Sequence, residues 1–219
     1  MVIFRHNWQV SVQFLTVVSA RATPYNSAMT HTDLHHYLNQ RIADHEPRRI
    51  PQPDLAEAGV LIAVTDEPDP KVLLTLRASH LSSHQGEVAF PGGKRDPEDA
   101  CIVSTALREA NEEVGLDAKD VRVLGELDQV VSRFGYLVTP VLGVIPPSLS
   151  HIASPDELDA VFEVPLSIFR QPPSRYFERG NIRIPSYDYD GFHIWGLTAM
   201  MIAEMMNNFW DCDISLKLK

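Results

Sequence analysis

Arg108-Glu109-Ala110-Asn111-Glu112-Glu113 sets three carboxylates at i, i+3 and i+4, so that a helix carrying this segment gathers them on one face. Like charges that close repel, and a helix that keeps them calls for a cation to neutralise them. Ligands made only of oxygen select hard divalent ions, Mg2+ or Mn2+, and such ions favour phosphate-bearing substrates. Upstream, Gly92-Gly93 lets the backbone pass close to a phosphate or a metal with no Cβ in the way. The chemistry these residue types suit is metal-dependent attack of water on a phosphoryl group.

Glu109 and Glu113, one helical turn apart, are the first choice for metal ligands, and Glu112 completes the cluster. Arg108 is expected to pair with one of these glutamates and hold it in a ligating orientation, a restraint that tunes metal affinity. Proton removal from the attacking water falls to Glu112 or to an acid from a loop outside the helix. Asp156, Glu157 and Glu163 are the loop candidates, and Glu157 is preferred because prolines flank its segment.

These residues need a scaffold, and the hydrophobic pattern supplies one. Residues 30–49 carry Leu34, Tyr37, Leu38 and Ile42 at helical spacing, and Pro47, Pro51 and Pro53 then mark an extended linker. Strands are expected over 59–65 and 71–77, joined by a turn at 66–70, with further strands over 86–90, 121–127, 137–145 and 182–189. For the acidic helix, Asp96 is read as the N-cap and Pro97 as the first helical position, with Glu98 and Asp99 complementing its positive end. Ile102, Val103, Ala106, Leu107 and Ala110 form its core stripe, and Gly115 is its left-handed stop. Cys101 is then a buried thiol within that helix. Residues 156–162 read as a loop entering a short strand, 165–169 as a helical turn, and the Met-rich 196–209 as a terminal core helix.

The chain has 219 residues with 44% hydrophobic and 22% charged residues, enough for one globular domain. A net charge of −10 argues against nonspecific binding of nucleic acid. It does not exclude a small anionic substrate, because bound metal inverts the local potential. Cys101 and Cys212 are too few for a disulfide framework, which suits a reducing cytoplasm. No stretch is long enough to span a membrane. Neither His35-His36 nor Asp211-Cys212-Asp213 has the surrounding ligands of a zinc site.

The glycine loop and the ending Arg108-Glu109-Ala110-x-Glu112-Glu113-x-Gly115-Leu116 resemble the Nudix box, the signature of the Nudix hydrolases. The second half of that pattern matches throughout. In the first half, the interval from Gly93 to Arg108 is one residue longer than the general pattern, and Asp99 stands near the position of the early glutamate. This longer box follows Leu73-Leu74-Thr75-Leu76-Arg77 and Leu81-x-x-His84-x-Gly86-x-Val88-x-Phe90-Pro91-Gly92-Gly93, and the whole is similar to the coenzyme A pyrophosphatase branch. Ala78 replaces the serine usual in that branch. Further similarity lies in Tyr136-Leu137-Val138-Thr139-Pro140-Val141, Val161-Phe162-Glu163-Val164-Pro165-Leu166 and Ile194-Trp195-Gly196-Leu197-Thr198-Ala199.

The resemblance implies an α/β fold in which a mixed sheet is sandwiched between helices (α/β/α). It implies Mg2+- or Mn2+-dependent hydrolysis of coenzyme A or its thioesters to 3',5'-ADP and 4'-phosphopantetheine or its acylated form. It also implies that Arg77 and His84 face the substrate beside Gly92 and Gly93. A forked pair of hydrogen bonds from Arg77 suits a phosphate, whereas His84 reads more readily as a structural hydrogen bonder. Two rivals stand beside this reading: the same chemistry on ADP-ribose, NADH or a nucleoside triphosphate, and a non-catalytic domain that senses a nucleotide. The expected partner is a small-molecule nucleotide, with neither nucleic acid nor membrane, and a homodimer is kept open as an assembly.

The expected organisation is an extension over 1–28, a helix and linker over 29–53, the Nudix domain over 54–210 and a tail over 211–219. Within 1–22 an early Arg5 and an apolar stretch at 14–18 resemble a secretory signal, but Asn7, Gln9, Ser11 and Gln13 interrupt it. Translation from Met29 is the preferred expectation.

Overall fold

The computed structural model describes residues 31–52, 54–81 and 85–217. The expectations for residues 1–28 and for His84 lie outside the described residues.

Alternation of side chains along two long strands explains the layers. β1 (Ala56–Thr65) and β7 (Tyr136–Ile145) run parallel at the centre of the main sheet, in register from Ala56 opposite Tyr136 to Thr65 opposite Ile145. Their side chains point to opposite faces in turn. Leu61, Ala63, Val141 and Ile145 pack on one face with Ala106, Ala110 and Val114 of α2 (Ile102–Val114). Ile62, Val64, Leu142 and Val144 pack on the other face with α1 (His31–Ala43) and α4 (Gly196–Phe209). Both faces are therefore apolar, and helices cover each of them. Fully buried residues such as Leu61 and Ile62 each contribute about 1.5–3 kcal/mol through burial.

Around this pair the sheet is mixed. β2 (Lys71–Arg77) lies antiparallel to β1, and β8 (Leu158–Pro165) and β3 (Val88–Ala89) both pair antiparallel with β2. β5 (Arg122–Glu126) and β6 (Val130–Val131) pair antiparallel with β7, while β4 (Gly92–Lys94) pairs antiparallel with β1. A short helix α3 (Leu166–Phe169) follows β8. A separate sheet of β9 (Arg175–Arg179), β10 (Ile182–Tyr189) and β11 (Phe192–Ile194) adds Tyr187, whose ring meets Phe169 edge-on in the core. The fold is the α/β sandwich expected.

Two expectations are corrected. Helix α2 begins at Ile102, with Cys101 as its N-cap, so Asp96 and Pro97 precede it and neither Glu98 nor Asp99 sits in its first turn. The reason is tertiary. Asp99 Oδ2 accepts from the Asp96 N–H at 3.0 Å, and its carboxylate is also gripped by Arg108, which folds residues 96–99 back on themselves. Ser104 then accepts from the Cys101 N–H at 3.0 Å and starts the helix there. Cys101 is consequently exposed rather than buried. The stop at Gly115 is as expected, left-handed at φ 68° with its N–H returned to Asn111 O.

Candidate active site

The site begins with glycines that bring a helix close to a strand. Gly93 pairs with Gly59 across β4 and β1, and a Cβ at Gly59 would stand 2.8 Å from the Ile102 carbonyl oxygen. With no side chains between them, the acidic face of α2 lies directly on the glycine backbone. A Cβ at Gly93 would stand 2.4 Å from Cδ of Glu109. The Gly92 N–H donates to Glu113 Oε2 at 3.1 Å.

Glu113 is only 6% exposed, although it is a carboxylate on a helix. Its burial pushes its pKa up to about 7; the Gly92 hydrogen bond and the Arg77 charge oppose that rise, and Glu109 and Glu157 add to it. Glu109 is raised as well, first by burial and then by Glu112 and Glu157, with Arg108 opposing. A pair of carboxylates so placed holds more negative charge than its surroundings neutralise. The donors are hard oxygens, so the pair fits a divalent cation. Among the described residues no three His, Cys, Asp or Glu side chains are drawn together closely enough to form a finished metal cage.

Arg108 decides where two of the three glutamates lie. Its Nε and Nη2 fork onto Asp99 at 3.1 and 3.0 Å, and its Nη1 reaches Glu109 Oε1 at 2.9 Å and Glu112 Oε2 at 3.0 Å. Nη2 also donates to the Lys94 carbonyl at 3.2 Å, which ties the helix to β4. Asp99 is thereby held well below the usual carboxylate range, with the Arg108 hydrogen bonds as the largest cause. Glu112, with its side chain 55% exposed, turns outward onto Arg108, away from the glycine wall.

The remaining sequence candidates arrive from other strands. Arg77 ends β2 at a register shift, and its charge acts on Glu113. Glu157 is exposed and acts on both Glu109 and Glu113. Its loop is laced to the site by the Glu157 carbonyl accepting from Ala78 N–H at 2.8 Å and by Ser154 N–H donating to Glu113 O at 2.8 Å. Asp156, its exposed neighbour, is in the same turn. Glu163 is elsewhere, paired with Lys71 and His151. Sequence reasoning missed the partnership of Asp99 with Arg108; the signal available was Asp99 at the early acidic position of the motif. His35 bonds Asn39 on its own helix, and Asp211 bonds Arg41.

The model of the NUDIX domain family matches residues 55–179, more than half of the chain. Two relatives described as "Uncharacterized Nudix hydrolase NudL", from Salmonella paratyphi B and Escherichia coli, are each 46% identical over 154 residues, spanning 68% of this chain and 80% of theirs. Among solved structures, a MutT/nudix family protein from Enterococcus faecalis aligns over 84% of this chain and 70% of its own, at 18% identity and a TM-score of 0.47. The chain belongs to the Nudix hydrolase family.

Proposed function

We propose that this Nudix hydrolase cleaves the pyrophosphate bond of coenzyme A or its thioesters, releasing 3',5'-ADP and 4'-phosphopantetheine or its acylated form. The observation that carries the site assignment is Glu113, a buried carboxylate beside Glu109 on a wall of bare glycine backbone. Glu109 and Glu113 would hold Mg2+ or Mn2+, with Glu112 joining them by leaving Arg108. When bound, the cation neutralises the pyrophosphate oxygens and makes water a better nucleophile. Support for coenzyme A comes from the segments at 73–77 and 81–93, which resemble that branch.

The chain's own residues supply the rest. Arg77, at the end of β2, engages a phosphate oxygen pair with its guanidinium fork. The Gly92 N–H fixes the Glu113 carboxylate, and Gly93 leaves room for Glu109 to lie flat against the strand. Arg108 holds Glu109 and Glu112 in position from Asp99. Glu157, exposed and facing the same carboxylates from another loop, takes the proton from the attacking water, with Glu112 as the alternative base. No helix among the described residues is long and apolar enough to cross a membrane, and two free cysteines suit the reducing cytoplasm we assign to the enzyme.

The test is a product screen with Mg2+ or Mn2+ on coenzyme A, an acyl-coenzyme A, ADP-ribose, NADH and a nucleoside triphosphate. Phosphopantetheine release is expected, and release of products only from the other compounds would overturn the coenzyme A assignment. Glu113→Gln keeps an acceptor for the Gly92 N–H and should abolish turnover with unchanged circular dichroism. Surviving turnover would remove Glu113 from the metal site, and loss of every activity in the native chain would favour a sensor.

A further inference from the structure

We propose that Arg133, Phe134 and Trp195 form the stacking site for the substrate's nucleobase, a purine before a pyrimidine because of its larger face. This rests on the reading above, in which the phosphates lie at Arg77 and Glu113. Among the described residues, the large apolar side chains left exposed include Phe134 at 50% and Trp195 at 42%. These two come from distant parts of the chain, yet one guanidinium unites them. Arg133 Cζ lies 4.6 Å from the Phe134 ring centroid and 6.0 Å from that of Trp195.

The patch is built in place. Ser132 N–H donates to Tyr136 O at 2.9 Å, Gly135 N–H to Ser132 O at 3.1 Å, and Tyr136 N–H to Ser132 Oγ at 3.0 Å. Gly135 adopts φ 80°, which closes the turn. Trp195 caps α4, and one turn later Thr198 Oγ donates to the Val88 carbonyl at 2.9 Å in a buried contact. Arg133 is held by Glu87, with Nη2 to Oε1 at 2.6 Å.

That last contact sets the location. The Glu87 carbonyl accepts from the Arg77 N–H at 3.0 Å, so the residue that anchors the platform also neighbours the proposed phosphate ligand. One strand spacing of about 4.8 Å separates β3 from β2. A helix rise of about 4.5 Å separates Trp195 from Thr198, the residue bonded to Val88. A nucleoside spans such an interval between phosphate and base. Planar aromatic faces beside a guanidinium stack on any base through its π-face, with the cation reinforcing the stack. In a chain of net charge −10 a cation presented with two exposed rings suits an electron-rich planar ligand.

The experiment uses the full chain and two readouts. In equilibrium binding, 5'-AMP should bind, and Trp195→Ala should weaken it roughly tenfold or more, with Trp195→Phe restoring most of the affinity. In kinetics, the ratio of kcat/KM for coenzyme A over a base-free dialkyl pyrophosphate should fall by roughly the same factor in Trp195→Ala and in Phe134→Ala. Equal losses on both substrates, or 5'-AMP binding indifferent to Trp195→Ala, would overturn the platform. Should the chain cleave no pyrophosphate at all, only the reading of its activity falls, and the 5'-AMP titration still decides the platform. A peptide or a second copy of the chain covering these rings would show as 5'-AMP binding that does not respond to either substitution, and would overturn it too.

Discussion

Asp99→Asn isolates the contact that organises the whole acidic face. The side chain is 7% exposed and receives two hydrogen bonds from Arg108, at 3.1 and 3.0 Å. Asn keeps its size and one acceptor but removes the charge. Hydrogen bonds to charged groups are each worth about 1.5–3 kcal/mol. Arg108 keeps its contacts to Glu109 and Glu112 and is itself partly exposed, so the net loss should be nearer the low end, about 2 kcal/mol. For a domain of this size that lowers Tm by about 4–8 °C. Because Arg108 depresses the pKa of Asp99 in the fold, the stabilisation is complete above the unfolded carboxylate range and is lost only as pH falls toward the lower folded value. The difference in stability between Asp99→Asn and native should therefore be flat from pH 5 to 8. The second effect is on metal. Once released from Asp99, Arg108 can turn wholly onto Glu109 and Glu112, competing with a cation there, and the half-saturating Mn2+ concentration should rise about 10- to 100-fold. Asp99→Glu keeps the charge and should recover most of the metal dependence. The assays are thermal melts across pH and activity titrated with Mn2+. Native-like melting and an unshifted titration in Asp99→Asn would refute the reasoning.

Gly92 and Gly93 should separate fold from site. The atoms nearest a Cβ at Gly93 are the end of the Glu109 side chain, at 2.4 to 2.6 Å, so Gly93→Ala should cost less than about 1 kcal/mol of stability while displacing Glu109 and reducing metal-dependent turnover tenfold or more. A Cβ at Gly92 meets backbone, 2.5 Å from Gly59 O and 2.6 Å from Val60 Cα, so Gly92→Ala should open the β1–β4 pairing and fail in melting experiments before any assay of activity. Glu204 lies in α4 against Arg48, His45 and Asp128, and burial pushes its pKa from the ordinary 4.5 up to about 7. A raised acid contributes its stability below about pH 4.5 and loses it as pH climbs through 7, here by up to about 3 kcal/mol. Urea unfolding at several pH values should show Glu204→Gln gaining on the native chain from pH 5 to 8; a pH-independent difference would rule out Glu204 as the titrating group.

The elements read correctly from sequence are those whose pattern answers to one neighbour or one period. β2 runs over Lys71–Arg77 and α4 over Gly196–Phe209, as their spacing predicts, because each buries a continuous apolar stripe. Strands of two or three residues such as β3, β4 and β6 carry too little sequence for any period, and β4 opens with two glycines whose role is contact with Glu109 and Glu113. The start of α2 escapes the local pattern for a related reason. Asp96-Pro97 has the local chemistry of a helix entry, but the partner that decides the matter, Arg108, lies nine residues beyond Asp99. In the site, Glu109 and Glu113 are legible from their i, i+4 spacing, and the outward turn of Glu112 is not, since it depends on which carboxylates Arg108 takes first. Arg133, Phe134 and Trp195 share no spacing at all; only the meeting of the β6–β7 turn with the start of α4 makes them one patch.

One guanidinium serving four acids explains why this face can be both folded and poised. Asp96 is the fourth of them, at 3.5 Å, but the short bonds go to Asp99, Glu109 and Glu112, and none goes to Glu113. Asp99 takes the fork, which leaves Glu109 a single Arg108 contact and leaves Glu113 to the Gly92 N–H and the more distant Arg77 charge. Burial then raises both glutamates, most strongly the one that Arg108 does not reach. The charge left unneutralised is concentrated where the glycines remove side chains, at the place best able to admit a cation and a phosphate. The irregular interval between Gly93 and Arg108, and the aspartate within it, thus set how Arg108 divides itself among the acids.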